Sequence, residues 1–193
     1  DVKCWGYDVS GQLGDGGSNT NANAPSSTAI DLGTGRTAVA ITGGLQHTCA
    51  ILDNGDVKCW GRDNYGQLGD GGTNTNTNAP SSTAIDLGTG RTAVALSAGD
   101  EFTCAILDNG EMKCWGSDWA GQLGDGGSNT NQGSPVAVSG SNTWNTTTTT
   151  ATATTWETHP ALPAGMIISG GTISGTPSVY ALNQTYTIYA NQS

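Results

Sequence analysis

The sequence predicts an all-β protein assembled from repeated four-stranded units of about propeller-blade size, and three observations carry that prediction. One segment recurs at a fixed 55-residue step, beginning at Asp1, Asp56 and Glu111 and ending each time in Lys-Cys-Trp-Gly. The block Gly-Gln-Leu-Gly-Asp-Gly-Gly keeps the same step, at Gly11–Gly17, Gly66–Gly72 and Gly121–Gly127. A period of this size marks stacked units, none of which buries its apolar face alone. Glycine also supplies 30 of 193 residues, well above the usual share, and the apolar residues fall in short β-branched runs between Gly, Asn and Asp clusters, as strands do. No helical periodicity interrupts them.

The middle of the chain gives the clearest strand parse. Ser82–Leu87 is predicted as a first strand, followed by the turn Gly88-Thr89-Gly90 and a second strand over Thr92–Leu96. A corner at Ser97-Ala98-Gly99-Asp100 leads into Phe102–Leu107 and Glu111–Trp115, a hairpin around Asp108-Asn109-Gly110. Asn-Gly between apolar runs is the strongest short-range hairpin signal. Four strands per period is the content of one propeller blade.

The five cysteines, Cys4, Cys49, Cys59, Cys104 and Cys114, bear on that hairpin. With Asp53-Asn54-Gly55 as a three-residue loop, Ile51 faces Val57, Ala50 faces Lys58 and Cys49 faces Cys59. A non-hydrogen-bonded pair at that point sets the Cα atoms about 4.5 Å apart, within reach of a disulfide. Cys104 and Cys114 repeat the arrangement. Each bridge would contribute roughly 3 kcal/mol through loop entropy. Paired cysteines point to an oxidising compartment, extracellular or at the cell surface. Buried free thiols are the alternative, and a ten-residue step does not suit zinc. Cys4 would pair ten residues upstream of itself, and the chain, which opens mid-repeat without Met, reads as a fragment.

These residues resemble the regulator of chromosome condensation repeat. The resemblance rests on His47-Thr48-Cys49-Ala50-Ile51-Leu52, then Asp53 to Gly61 with its Trp60-Gly61, then Gly66-Gln67-Leu68-Gly69. It implies propeller-type repeats over residues 1–138, with incomplete first and third units, from a family that builds seven-bladed rings. The cysteine pair departs from the nuclear members and is similar to secreted bacterial and archaeal relatives. The family's founder is an exchange factor for a small nuclear GTPase that docks on chromatin. That activity is not carried over to an acidic chain too short to close a ring, since fold does not dictate function.

Composition changes after Ser139. Residues 139–152 include five consecutive Thr and read as a Thr-rich linker or as a further strand. From 153 to 193, Leu162-Pro163-Ala164-Gly165-Met166, Gly171-Thr172-Ile173-Ser174-Gly175-Thr176-Pro177 and Thr185-Tyr186-Thr187-Ile188-Tyr189-Ala190 resemble the immunoglobulin-like, cadherin-like modules of prokaryotic surface proteins. The resemblance implies a partial β-sandwich module.

Charge and side-chain chemistry narrow the function. Six Lys and Arg against sixteen Asp and Glu leave a net charge of −10, opposite to a nucleic-acid footprint. No apolar run is long enough for membrane insertion. Neither His47 nor His159 joins a nucleophile constellation, and His47 is expected to hydrogen-bond the backbone of a neighbouring unit. The Gly-rich loops lack the Lys and following helix of a phosphate cradle. Asp15, Asp70 and Asp125 sit in oxygen-rich loops that could hold Ca²⁺, although Asp before Gly-Gly is also ordinary turn chemistry. No other cofactor is expected.

The remaining variation lies between Trp-Gly and Gly-Gln-Leu-Gly: Tyr7-Asp8-Val9-Ser10, Arg62-Asp63-Asn64-Tyr65 and Ser117-Asp118-Trp119-Ala120. The second-position Asp stays while Tyr, Arg and Trp change around it, and those are hot-spot residue types. Tyr7, Arg62, Tyr65 and Trp119 are therefore candidate ligand-binding residues, with drift in exposed loops as the alternative. The expected function is non-enzymatic binding or adhesion to a protein or glycan. An exchange factor and the recognition part of a secreted hydrolase are the other readings.

Overall fold

The computed structural model describes residues 1–17 and 20–140, and beyond them four strands between 155 and 191. The chain divides into two units, Asp1–Thr146 and Thr147–Ser193. In the first, β1 (Ala38–Gly43), β2 (His47–Leu52) and β3 (Val57–Gly61) form an antiparallel sheet in that order. One period later β4 (Ala93–Ala98), β5 (Phe102–Leu107), β6 (Met112–Gly116) and β7 (Gln132–Ala137) form a four-stranded sheet.

Hairpin chemistry sets the register of both sheets. Gly55 and Gly110 adopt φ values of 81° and 83°, a conformation only glycine takes without strain. The Leu52 N–H then donates to Asp56 O at 2.8 Å, and the Gly55 N–H to Leu52 O at 2.9 Å. This closes a three-residue loop and places Ile51 opposite Val57, Ala50 opposite Lys58 and Cys49 opposite Cys59, as the sequence predicts. Cys49–Cys59 and Cys104–Cys114 are disulfide-bonded, with Cα separations of 4.1 and 4.0 Å. Cys4 carries a free thiol.

The predicted strand Ser82–Leu87 does not form. The fourth strand of the middle unit pairs only at its ends, through a bridge between Gly61 and Thr77 and the Ile85 N–H donating to Val57 O at 2.9 Å. Between them, the Thr83 N–H donates to Ser81 Oγ at 3.2 Å, and the two hydroxyls lie 3.1 Å apart. A local hydroxyl turn has replaced the ladder. Ser26 and Thr28 repeat it in the first unit. The third copy is two residues shorter after its proline, Pro135-Val136-Ala137-Val138, and there the strand runs on as β7.

Within Asp1–Thr146 the core lies between successive repeats. Strand β2 is almost wholly buried, and its two faces serve different clusters. Ala50 and Leu52 pack with Ile30, Leu32 and Trp60, while Cys49 and Ile51 pack with Val57, Leu68, Ala105, Leu107 and Trp115. That is why Cys49–Leu52 reads as a continuous apolar run. A strand covered on both sides has no polar face to alternate with.

In the second unit, β8 (Thr155–His159) pairs antiparallel with β11 (Thr187–Asn191), and β9 (Met166–Ser169) with β10 (Thr172–Gly175). The rest of the expected immunoglobulin-like module, and residues 141–152 of the Thr-rich segment, lie outside the described residues.

Candidate functional site

The variable loops rest on a frame that repeats. Asp8, Asp63 and Asp118 are buried, and each accepts a hydrogen bond through Oδ1 from a leucine N–H five residues on: Leu13 at 2.9 Å, Leu68 at 3.1 Å and Leu123 at 2.9 Å. Their own N–H groups donate to Asn21, Asn76 and Asn131 at 2.9, 2.9 and 3.0 Å. The retained Asp is thus a loop brace, which explains its constancy. Burial raises the Asp63 carboxyl to about 6, against the pull of the Leu68 N–H and with a further push from Asp70. Its Oδ2 is buried without a partner. Burial also raises Asp8.

The first two braces each press a Gly-Gln-Leu-Gly loop against the tryptophan of the next unit. The Trp60 indole N–H donates to Gln12 O, and that of Trp115 to Gln67 O, both at 3.0 Å. A Cβ on Gly69, where φ is 73°, would stand 2.7 Å from Trp115 Nε1. Thr48 and Thr103 donate hydroxyls to the same two carbonyls, at 2.9 and 3.2 Å. These glycines and tryptophans are unit-to-unit fasteners.

The candidate binding residues separate into two kinds. Arg62 is occupied within the protein: it donates to Gln46 Oε1 at 3.3 Å and reaches Glu101 of the next unit at 3.4 Å. Its guanidinium lies 5.7 Å from the Tyr65 ring centroid. With the Asn64 amide oxygen turned towards it, Arg62 also donates to Asn64 at 3.1 and 3.2 Å. Tyr7 and Trp119 are presented instead, 56% and 75% exposed. The structure therefore joins Arg62 and Tyr65 into one cluster with Gln46 and Glu101, and leaves Tyr7 and Trp119 as separate aromatic projections. Sequence reasoning missed Gln46 and Glu101, whose 55-residue spacing was the available signal.

His47 does bond the next unit, through a side chain rather than the expected backbone. Its Nε2 lies 2.9 Å from Thr103 Oγ1. Because the Thr103 hydroxyl proton is committed to Gln67 O, His47 donates from Nε2 and its buried Nδ1 has no partner. Burial lowers its pKa to about 4. Asp15, Asp70 and Asp125 use Oδ1 to accept the N–H of Gly17, Gly72 and Gly127 at 2.8, 2.9 and 2.7 Å, so these carboxylates serve as turn acceptors. Among the described residues no group of three or more His, Cys, Asp or Glu is gathered as a metal site, and no helix is long and apolar enough to cross a membrane.

Comparison with known proteins agrees with this geometry. Residues 38–67 and 93–122 match one model of the regulator of chromosome condensation (RCC1) repeat, and residues 54–106 match another. The chain is 34% identical over 130 residues to the E3 ubiquitin-protein ligase HERC2 of Homo sapiens, covering 66% of this chain and 3% of that protein. It is 31% identical over 126 residues to the ultraviolet-B receptor UVR8 of Arabidopsis thaliana, covering 65% of this chain and 27% of the receptor. Among solved structures, Prp20p from Saccharomyces cerevisiae superposes with a TM-score of 0.61 at 19% identity, over 77% of this chain and 35% of that one. Human WBSCR16 gives 0.56 at 23% identity, over 69% and 33%. The stretch from 38 to 122 carries RCC1 repeats, on sheets of the RCC1 propeller type.

Proposed function

We propose that this chain is a non-enzymatic binding protein whose RCC1 repeats hold rim loops against a protein partner. The observation that carries the reading is the division of labour in those loops. One buried Asp–Leu brace is kept three times, while the positions around it change among Tyr7, Arg62, Tyr65 and Trp119, of which Tyr7 and Trp119 project into solvent. A rigid frame with variable aromatic and Arg projections is how anchors are displayed at low entropic cost. The structures of RCC1-type proteins lend support: Prp20p is described by its binding to Gsp1p and histones, and yeast RCC1 is solved with Kap60 bound. A net charge of −10 suits a basic partner surface and disfavours nucleic acid. A glycan is the other ligand class on this reading.

The disulfides support secretion or display at a cell surface, where such bonds persist. The two antiparallel ribbons after residue 154 support an immunoglobulin-like spacer of the prokaryotic surface type. The test is attachment of the purified chain to cells or to arrayed proteins and glycans, beside the triple variant Arg62→Ala, Tyr65→Ala, Trp119→Ala. Binding reduced at least tenfold is expected, and undiminished binding removes the loops from the proposal. An exchange-factor function is the second reading, favoured by the likeness to Prp20p. Accelerated nucleotide release from a small GTPase would establish it in place of the first.

A further inference from the structure

Between the second and third repeats lies a cavity of about 310 Å³, at the lower end of the range for small-molecule sites. Its walls come from both repeats, with Asp70, Thr77 and Asp86 on one side and Lys113 and Ser134 on the other. Asp70 and Asp86 each commit one carboxylate oxygen to a turn, accepting the N–H of Gly72 at 2.9 Å and of Gly88 at 2.8 Å. Among the described residues the ion pairs all belong to arginines, so Lys113 is paired with neither carboxylate. The Thr77 Oγ1 is buried without a partner, and a buried polar group left unpaired calls for an explanation.

Three substitutions make this junction differ from the one before it. Along the 55-residue step, Ala22 becomes Thr77, Ala79 becomes Ser134 and Asn78 becomes Gly133. At the earlier junction Asn78 reaches across the corresponding loop. Its Nδ2 donates to Gly17 O at 2.6 Å, and its carbonyl accepts the Gly16 N–H at 2.8 Å. Gly133 keeps the backbone bond, from the Gly71 N–H at 2.8 Å, and brings no side chain across. Two hydroxyls are gained and a bridging amide is lost, in repeats that otherwise nearly copy each other.

We propose that this cavity binds a neutral saccharide, about one hexose unit at a time. Its charges select the class. The two carboxylates repel a phosphate or carboxylate ligand, and Lys113 repels a metal ion or an amine. A neutral polyol uses both signs at once, because each of its hydroxyls can donate to a carboxylate or accept from an ammonium. Asp70 and Asp86 accept through their remaining oxygens, Lys113 donates, and Thr77 supplies the hydroxyl that has nothing else to bond. The site is separate from the rim loops and stands whether or not they hold a protein.

The experiment follows the backbone amides of the full chain by NMR, under oxidising conditions, as glucose, galactose, mannose or N-acetylglucosamine is added. A single sugar unit is expected to bind with a Kd of about 1 mM, so the additions run to several times that. At least one of the four should shift the amides of Asp70, Asp86 and Lys113 saturably, while glycine and inorganic phosphate leave them in place. Lys113→Met, which keeps the stem, and Asp86→Asn, which keeps the turn acceptor, should each weaken that binding roughly tenfold. Amides of β2 and β5 at their wild-type positions confirm that both variants are folded. The proposal is overturned if none of the four sugars shifts these amides, or if both variants bind like wild type. Saturation by glycine or phosphate overturns it too, since the cavity would then take a charged ligand.

Discussion

Gly69 shows how far a single missing methyl can matter. Its φ of 73° is strained for any other residue, and a Cβ there meets Trp115 Nε1 at 2.7 Å. Gly124 has a similar φ of 64°, but its nearest neighbour would be Val138 Cγ1 at 3.5 Å. Alanine at Gly124 should therefore cost only the backbone strain, about 1 kcal/mol. Alanine at Gly69 adds the overpacking of a buried ring, for about 3 kcal/mol in total. Urea midpoints of the two variants measure the difference, and equal losses would mean the indole yields. His47 and Asp63 make a second case, because they oppose each other on acidification. Between pH 6.5 and about 4 the unfolded chain binds a proton that buried His47 refuses, so stability is lost as pH falls. Between about 6 and 3.8 folded Asp63 binds a proton that the unfolded chain does not, so stability is gained. Each contribution is about 3 kcal/mol, and they oppose each other. Wild-type stability should change less from pH 6 to 4 than that of a variant lacking either group. His47→Gln should become more stable over that range and Asp63→Asn less, by urea unfolding at each pH. Variants running parallel to wild type would show that neither group titrates as its surroundings dictate.

The hairpins were legible in the sequence because two independent constraints agreed on one register. Asn-Gly fixed the loop, and the ten-residue cysteine step fixed the pair opposite it. The fourth strand was not legible, because Ser and Thr serve equally as strand formers and as local hydrogen-bonding groups. In Ser81–Thr83 the local bond won. The third copy, two residues shorter, held the clue. Removing Ser82 and Thr83 from the middle unit should let the segment join β3 as a ladder strand, as β7 joins β6 with one register shift between Cys114 and Gly116. The backbone amides of that segment should then exchange at least tenfold more slowly, and unchanged exchange would mean that the bulge is not what interrupts the ladder. The binding residues were legible only as variation around a constant Asp. That Arg62 is held by Glu101 of the next unit depends on blade stacking, which no local pattern reports. Disulfide energetics belong with these hairpins. Replacing both Cys49 and Cys59 by Ser should cost about 3 kcal/mol through loop entropy. The Cys104/Cys114 double variant should cost the same, since the loop lengths are equal. A much larger loss at the first pair would locate the effect in packing, because Cys49 is buried between units and Cys104 is not.

Placing each core between units rather than within one makes the repeat region close to one-dimensional. Strand β2 belongs to both clusters, the first shared with Ile30, Leu32 and Trp60 and the second with Leu107 and Trp115. Strands β5 and β6 touch only the second. Damage to one cluster should therefore spread through β2 and stop. Leu52 and Leu107 are both fully buried, one in each cluster. Truncating either to Ala removes similar apolar volume, at about 3 kcal/mol. In native-state hydrogen exchange, Leu52→Ala should accelerate the amides of β1 to β3 and leave the β5–β6 ladder near its wild-type rate. Leu107→Ala should accelerate β4 to β6 together with β2 and β3, which lean on the same cluster from the other side. That asymmetry follows from the order of the units and from nothing local to either leucine. Equal acceleration of every ladder by both variants would mean that the repeats open as one cooperative body, whatever the division of their cores.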